Sequence, residues 1–153
     1  RLCSSAASDV YKRQALNDTF HHCLLAIIKQ YDIPSHAQRI ILNCRETGYY
    51  RTKEGLHPVE IQLYRISLST PWQLIGLTSF SYSDTQSHEL EPELYFHLPN
   101  LWCYQPDCGS VSLEHPKIKT LLETWMQTLA SHLTQCSYDD IQLTMTSTFD
   151  ATS

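Results

Sequence analysis

The sequence predicts an α+β domain: a mostly antiparallel four- to five-stranded sheet with two helices packed on one face. Three observations carry this. Val59, Ile61 and Leu63 alternate with Glu60, Gln62 and Tyr64, the pattern of a half-buried strand whose successive side chains point to opposite faces. Ile118, Leu121, Leu122, Trp125, Leu129 and Leu133 recur at helical spacing. Strand-like segments form one run with helical segments at its two ends, which gives the order α-β-β-β-β-α-β.

The elements follow in order. Asn17 or Asp18 caps a helix to about Tyr31, with Phe20, Leu24, Ile27 and Ile28 on one stripe. Asp32-Ile33-Pro34 ends it, because the residue before a proline avoids the α region. Arg39 to Arg45 is a short strand rich in isoleucine. Glu46 to Gly55 is a polar loop with Tyr49, Tyr50 and Arg51 at its tip. Val59 to Tyr64 and Trp72 to Tyr82 form a hairpin turning at Ser69, Thr70 and Pro71, and Gly76 marks a bulge or a close neighbour. A fourth strand runs through Leu94, Phe96 and Leu98, with Glu89, Glu91 and Glu93 alternating outward ahead of it. Pro99 to Gly109 reads as a loop. Glu114 to Gln135 is the second helix, with Pro116 in its first turn, and Ile141, Leu143 and Met145 begin the last strand.

The chain has 153 residues, enough for a single core. Ser4 to Gln14 resembles translated sequencing adapter, so residues 1–14 are set aside as an artefact. Residues 15–147 then form one domain, and 148–153 are a frayed tail. Arg1, Lys12, Arg13 and Asp9 belong to the adapter, so the formal charge moves from -5 to -7, with 8 basic against 15 acidic side chains. An acidic chain without a basic stripe is poorly suited to a phosphate backbone, so nucleic acid is disfavoured. No run approaches the ~20 apolar residues of a membrane span. Without Cys3 the cysteines are odd in number and scattered, which points to reduced thiols and a cytoplasmic location.

A set of short motifs resembles one known family. Asn43-Cys44-Arg45, Gly55-Leu56-His57-Pro58-Val59-Glu60-Ile61, Trp72-Gln73-Leu74, Thr78-Ser79-Phe80-Ser81-Tyr82, Glu89-Leu90 and Leu94-Tyr95-Phe96 are similar to bacterial domain-of-unknown-function family 2787. The resemblance covers Arg39 to Thr146 and, more loosely, the first helix. Cys44 and Glu46 stand where that family tends to an aromatic and an aspartate, and Leu94 to His97 lacks its acids. The resemblance implies a small bacterial domain and no catalytic residues.

Three groups are candidate sites. The outward strand face (Glu60, Gln62, Tyr64) with the loop tip Tyr49, Tyr50 and Arg51 is a surface for a protein partner. Arg45, Glu46, His57 and Glu60 are a polar cluster with acid/base capacity, although three-residue spacing puts His57 and Glu60 on opposite faces of a regular strand. Cys103, Cys108, His97 and His115 supply the ligand types of a tetrahedral zinc site without the usual close cysteine pair. The favoured function is a non-enzymatic protein-binding or accessory module with no cofactor. The alternative is a metal-dependent or acid/base enzyme built on the last two groups.

Overall fold

The computed structural model describes residues 18–150; the adapter-like segment, Cys3 and the Asn17 cap lie outside them. Helix α1 covers 18–28. It is followed by β1 (Ala37–Arg45), α2 (Gly48–Thr52), β2 (Val59–Tyr64), β3 (Gln73–Tyr82), β4 (Leu90–His97), β5 (Trp102–Gln105), β6 (Gly109–Ser112), α3 (Pro116–Thr134) and β7 (Asp140–Thr148). The fold is α+β, with one antiparallel sheet of seven strands in the order β6-β5-β4-β3-β2-β1-β7.

One face of the sheet holds the core. Ile40, Leu42, Ile61, Leu63, Leu77 and Phe96 are fully buried there. Phe20, Leu24 and Ile28 from α1 and Met126, Leu129 and Leu133 from α3 pack against them. The predicted apolar stripe of α3 is the stripe that meets the sheet, with Pro116 at its start and His115 as its cap. Both long helices therefore cover the same face.

The structure corrects the strand count. The segment expected to be a loop after Pro99 contains the β5–β6 hairpin, which extends the sheet beyond β4. Each arm has four residues, too few for a clear alternation. The Glu46–Gly55 loop contains one helical turn, α2. The β2–β3 connection is longer than expected, because the strands stop at Tyr64 and begin again at Gln73, leaving Ile66 and Leu68 exposed at its tip. The last strand pairs with β1 at the sheet edge, runs to Thr148, and the Phe149 N–H still donates to the His36 carbonyl. The remainder of the expected tail, 151–153, lies outside the described residues.

Two bulges set the site geometry. The register shifts between Gln62 and Leu63, next to Gly76 on β3. A Cβ on Gly76 would stand 3.4 Å from the Gln62 and Tyr95 side chains, so glycine lets these neighbours close over the backbone. The second shift, between Ser79 and Phe80, leaves Glu93 as the extra residue of β4. Pro92, without an N–H to give to the ladder, sits beside it.

Candidate functional site

The face of the sheet opposite the core carries the predicted strand residues Glu60, Gln62 and Tyr64. Strand register lines up Tyr104, Tyr95, Thr78, Glu60, Asn43 and Gln142 in one row. A parallel row contains Trp102, His97, Gly76, Gln62, Ile41 and Thr144. Among the described residues, α1 and α3 put their buried side chains on the other face, so neither long helix covers these rows. Trp102 stacks flat on His97, with centroids 4.9 Å apart and planes at 6°, and Tyr95 meets Trp102 edge-on at 5.1 Å. Tyr64 lies at the end of β2 on the same face, under the Arg39 guanidinium at 5.7 Å. Glu60, Gln62 and Tyr64 thus share the open face, as alternation predicts.

The loop tip does not join them as a unit. Tyr49 is buried, stacked on Tyr82 at 5.7 Å and against His57 at 4.9 Å, and its hydroxyl accepts the Tyr82 N–H. One helical turn in α2 points Tyr49 inward while Tyr50 and Arg51 stay exposed. Lys53 closes the turn in left-handed backbone. It donates to the Thr85 and Ser87 carbonyls at 2.7 and 2.5 Å, tying α2 to the β3–β4 turn.

The polar cluster divides between the two faces. Arg45 and Glu60 are on the open side and line a cavity of about 230 Å³ with Asn43, Tyr50, Phe80 and Leu90. Burial pushes the Glu60 carboxyl up. Glu46 turns back instead and accepts the Leu56 N–H at 2.5 Å. It fills the space where Gly55 would carry a Cβ, which would sit 2.6 Å from Glu46 Oε2, and Gly55 has φ +106°. Gly55→Ala is therefore expected to cost about 1–2 kcal/mol of stability, measured by chemical denaturation.

His57 finds a partner the sequence did not nominate. Its Nδ1 lies 2.7 Å from Glu93 Oε1, and Ser79 Oγ donates to the same oxygen at 2.5 Å. The bulge turns Glu93 toward Ser79, which corrects its expected outward position. Pro58 gives its carbonyl to the Phe80 N–H and passes the chain into β2, so His57 and Glu60 remain apart. A cavity of about 160 Å³ on the core side includes His57, Ser79, Glu93, Trp125, His132 and Tyr138. Burial pushes the Glu93 carboxyl up, but hydrogen bonds from Ser79, His57 and Ser81, with the His57 charge, leave it below its ordinary value. Serine, histidine and an acid are all present, yet the serine proton points at the carboxylate rather than at imidazole. A nucleophilic serine needs the base on its own oxygen, and this arrangement lacks that contact.

The proposed zinc ligands are not brought together. Cys103 is buried in the core face opposite Phe96, whereas His97 stacks on Trp102 on the open face. Cys108 is exposed between β5 and β6, and the His115 Nδ1 accepts the Lys117 N–H at the start of α3. Among the described residues no group of three or more His, Cys, Asp or Glu side chains is placed to hold a metal ion. The thiols instead divide by burial. Cys44 is pushed up to about 12 by burial first and then by Cys23, and burial also raises Cys103. Under native conditions iodoacetamide is expected to label Cys108 and Cys136 and spare Cys44 and Cys103, with all four labelled in urea; peptide mass spectrometry reads the difference.

A family model described as "Protein of unknown function (DUF2787)" matches residues 18–144. The chain belongs to the DUF2787 family. This family member is similar in structure to a conserved hypothetical protein from pathogenicity island VPI-2 of Vibrio cholerae, with 25% identity and a TM-score of 0.69, covering 82% of this chain and 92% of that one. That protein is described as sharing structural homology with the human P32 protein. A hypothetical protein from the VSP-II pathogenicity island of Vibrio cholerae shares the fold at 21% identity and a TM-score of 0.71, covering 82% of this chain and 90% of that one. No curated protein matches the DUF2787 chain. None of its described helices is long and apolar enough to cross a membrane.

Proposed function

We propose that this DUF2787 domain is a non-enzymatic binding module of the bacterial cytoplasm that engages a protein partner through the open face of its sheet. The observation that carries this reading is the fixed aromatic group Trp102, His97 and Tyr95 on a face that neither long helix covers. Tyrosine and tryptophan are the residue types that dominate binding energy at protein interfaces, and stacking lowers the entropy lost when they are immobilised. Tyr64 extends the same face, and Glu60 and Tyr50 border it at the α2 end. Two features support a binder over an enzyme: the serine of the His57 group is turned away from imidazole, and the ligand types for zinc are dispersed. The net charge of -5 favours a protein over nucleic acid, and free thiols suit a reducing compartment.

The test is capture from bacterial lysate followed by cross-linking and affinity measurement on the captured partner. Cross-links are expected at β2, β4 and β5. The double variant Tyr64→Ala with Trp102→Ala should weaken binding about thirtyfold or more while the melting temperature stays near that of the parent. A folded double variant that keeps every partner at full affinity would overturn the surface assignment.

A further inference from the structure

The cavity at the α2 end of the open face gathers polar side chains of both charge signs. Its four polar side chains, Asn43, Arg45, Tyr50 and Glu60, make no hydrogen bond or ion pair to another described residue. Glu60 stands opposite Asn43, and Arg45 lies two positions further along the same face of β1. That diagonal is within reach of two long side chains, and opposite charges so placed ordinarily pair. Here both line the cavity and form no ion pair with each other, and the Arg45 charge acts on the Tyr50 hydroxyl instead. Glu60 is half-buried, so its charge is only partly compensated by water.

The choice of ligand follows from the signs. A lone cation on Glu60 would stand beside Arg45, and a lone anion on Arg45 would stand beside Glu60; each would be attracted by one group and repelled by the other. A molecule with both charges a short distance apart satisfies both. The cavity, about 230 Å³, is smaller than the ~300–1,000 Å³ of pockets for drug-sized molecules, and Phe80, Leu90, Pro58 and Val59 give it an apolar wall. We infer that this cavity binds the zwitterionic head of a free α-amino acid with an apolar side chain. The carboxylate meets the planar fork of Arg45, the ammonium meets Glu60, and the side chain rests on Phe80 and Leu90. Asn43 and Tyr50 supply the remaining donors and acceptors.

This goes beyond partner binding and does not rest on it. The experiment is isothermal titration of the full chain with L-leucine and L-phenylalanine, alongside N-acetyl-L-leucine and L-leucine methyl ester. The free amino acids are expected to bind saturably, in the millimolar range or tighter, and each blocked derivative to bind about tenfold to a hundredfold more weakly. Glu60→Gln should erase the penalty for N-acetylation, and Arg45→Gln the penalty for esterification. The ligand comparison uses the parent protein, so it stands even if a variant folds poorly. Absence of saturable binding, or equal binding of free and blocked forms, overturns the inference. So does tight binding of a peptide with adjacent Lys and Asp side chains when free amino acids fail, since that gives the cavity to a protein partner. Trp102→Ala should leave amino-acid affinity unchanged, which separates failure here from failure of the partner surface.

Discussion

Phe96→Ala is expected to lower stability by about 3–5 kcal/mol, a fall of about 6–20 °C in Tm. Phe96 is fully buried on the core face of β4 and lies against Trp125 of α3, with ring centroids 5.7 Å apart. Truncation removes the ring and leaves a hollow between sheet and helix. Collapse into it is resisted on both sides, because Phe96 is paired to Leu77 on β3 and to Cys103 on β5. An interior strand cannot shift toward α3 without breaking one of its ladders, so the cavity cost is retained in full. Urea titration followed by circular dichroism measures the loss. Tyr95→Ala on the open side of the same strand removes an aromatic of similar size, yet it opens no cavity between sheet and α3 and should cost clearly less. Equal losses at the two positions would mean that the open face is covered as the core face is.

That contrast was legible from the sequence because strand parity is a local property. Val59, Ile61 and Leu63 against Glu60, Gln62 and Tyr64 already separates the core from the open face, and the same parity separates His57 from Glu60. What the sequence withheld depends on distant partners. Trp102 to Gln105 becomes a strand because β4 offers an unpaired edge. β7 lies beside β1 because Ile141 and Leu143 meet Cys44 and Leu42 there, almost a hundred positions away in the chain. Tyr49 and Tyr50 differ through a helical turn of five residues, shorter than two helical periods and so invisible as a pattern. The signal for Glu93 was present in Pro92, which cannot complete a ladder. Its meaning needed the register of β3, since a bulge changes the face of a residue without changing the sequence around it.

Glu93 carries the second large effect. Glu93→Ala is expected to cost about 1–3 kcal/mol near neutral pH, because buried Ser79 loses the acceptor of its hydroxyl and His57 loses its only hydrogen-bond partner among the described residues. The effect must depend on pH, and its direction is fixed by linkage. The folded carboxyl titrates below its ordinary value, so the folded state favours the ionised form. Its contribution is present in full above the unfolded pKa of about 4.3 and is lost as pH falls through the lower folded value. Protonation also removes the charge that makes both bonds strong, leaving an acid competing with Ser79 to donate. Paired urea titrations of parent and variant should therefore show the full gap near pH 7 and a progressively smaller one as pH falls below the ordinary carboxyl range. The acid limb of the parent's stability curve should be steeper than the variant's across that interval. A gap of the same size at both ends would show that Glu93 acts by filling space beside Trp125 rather than through its charge.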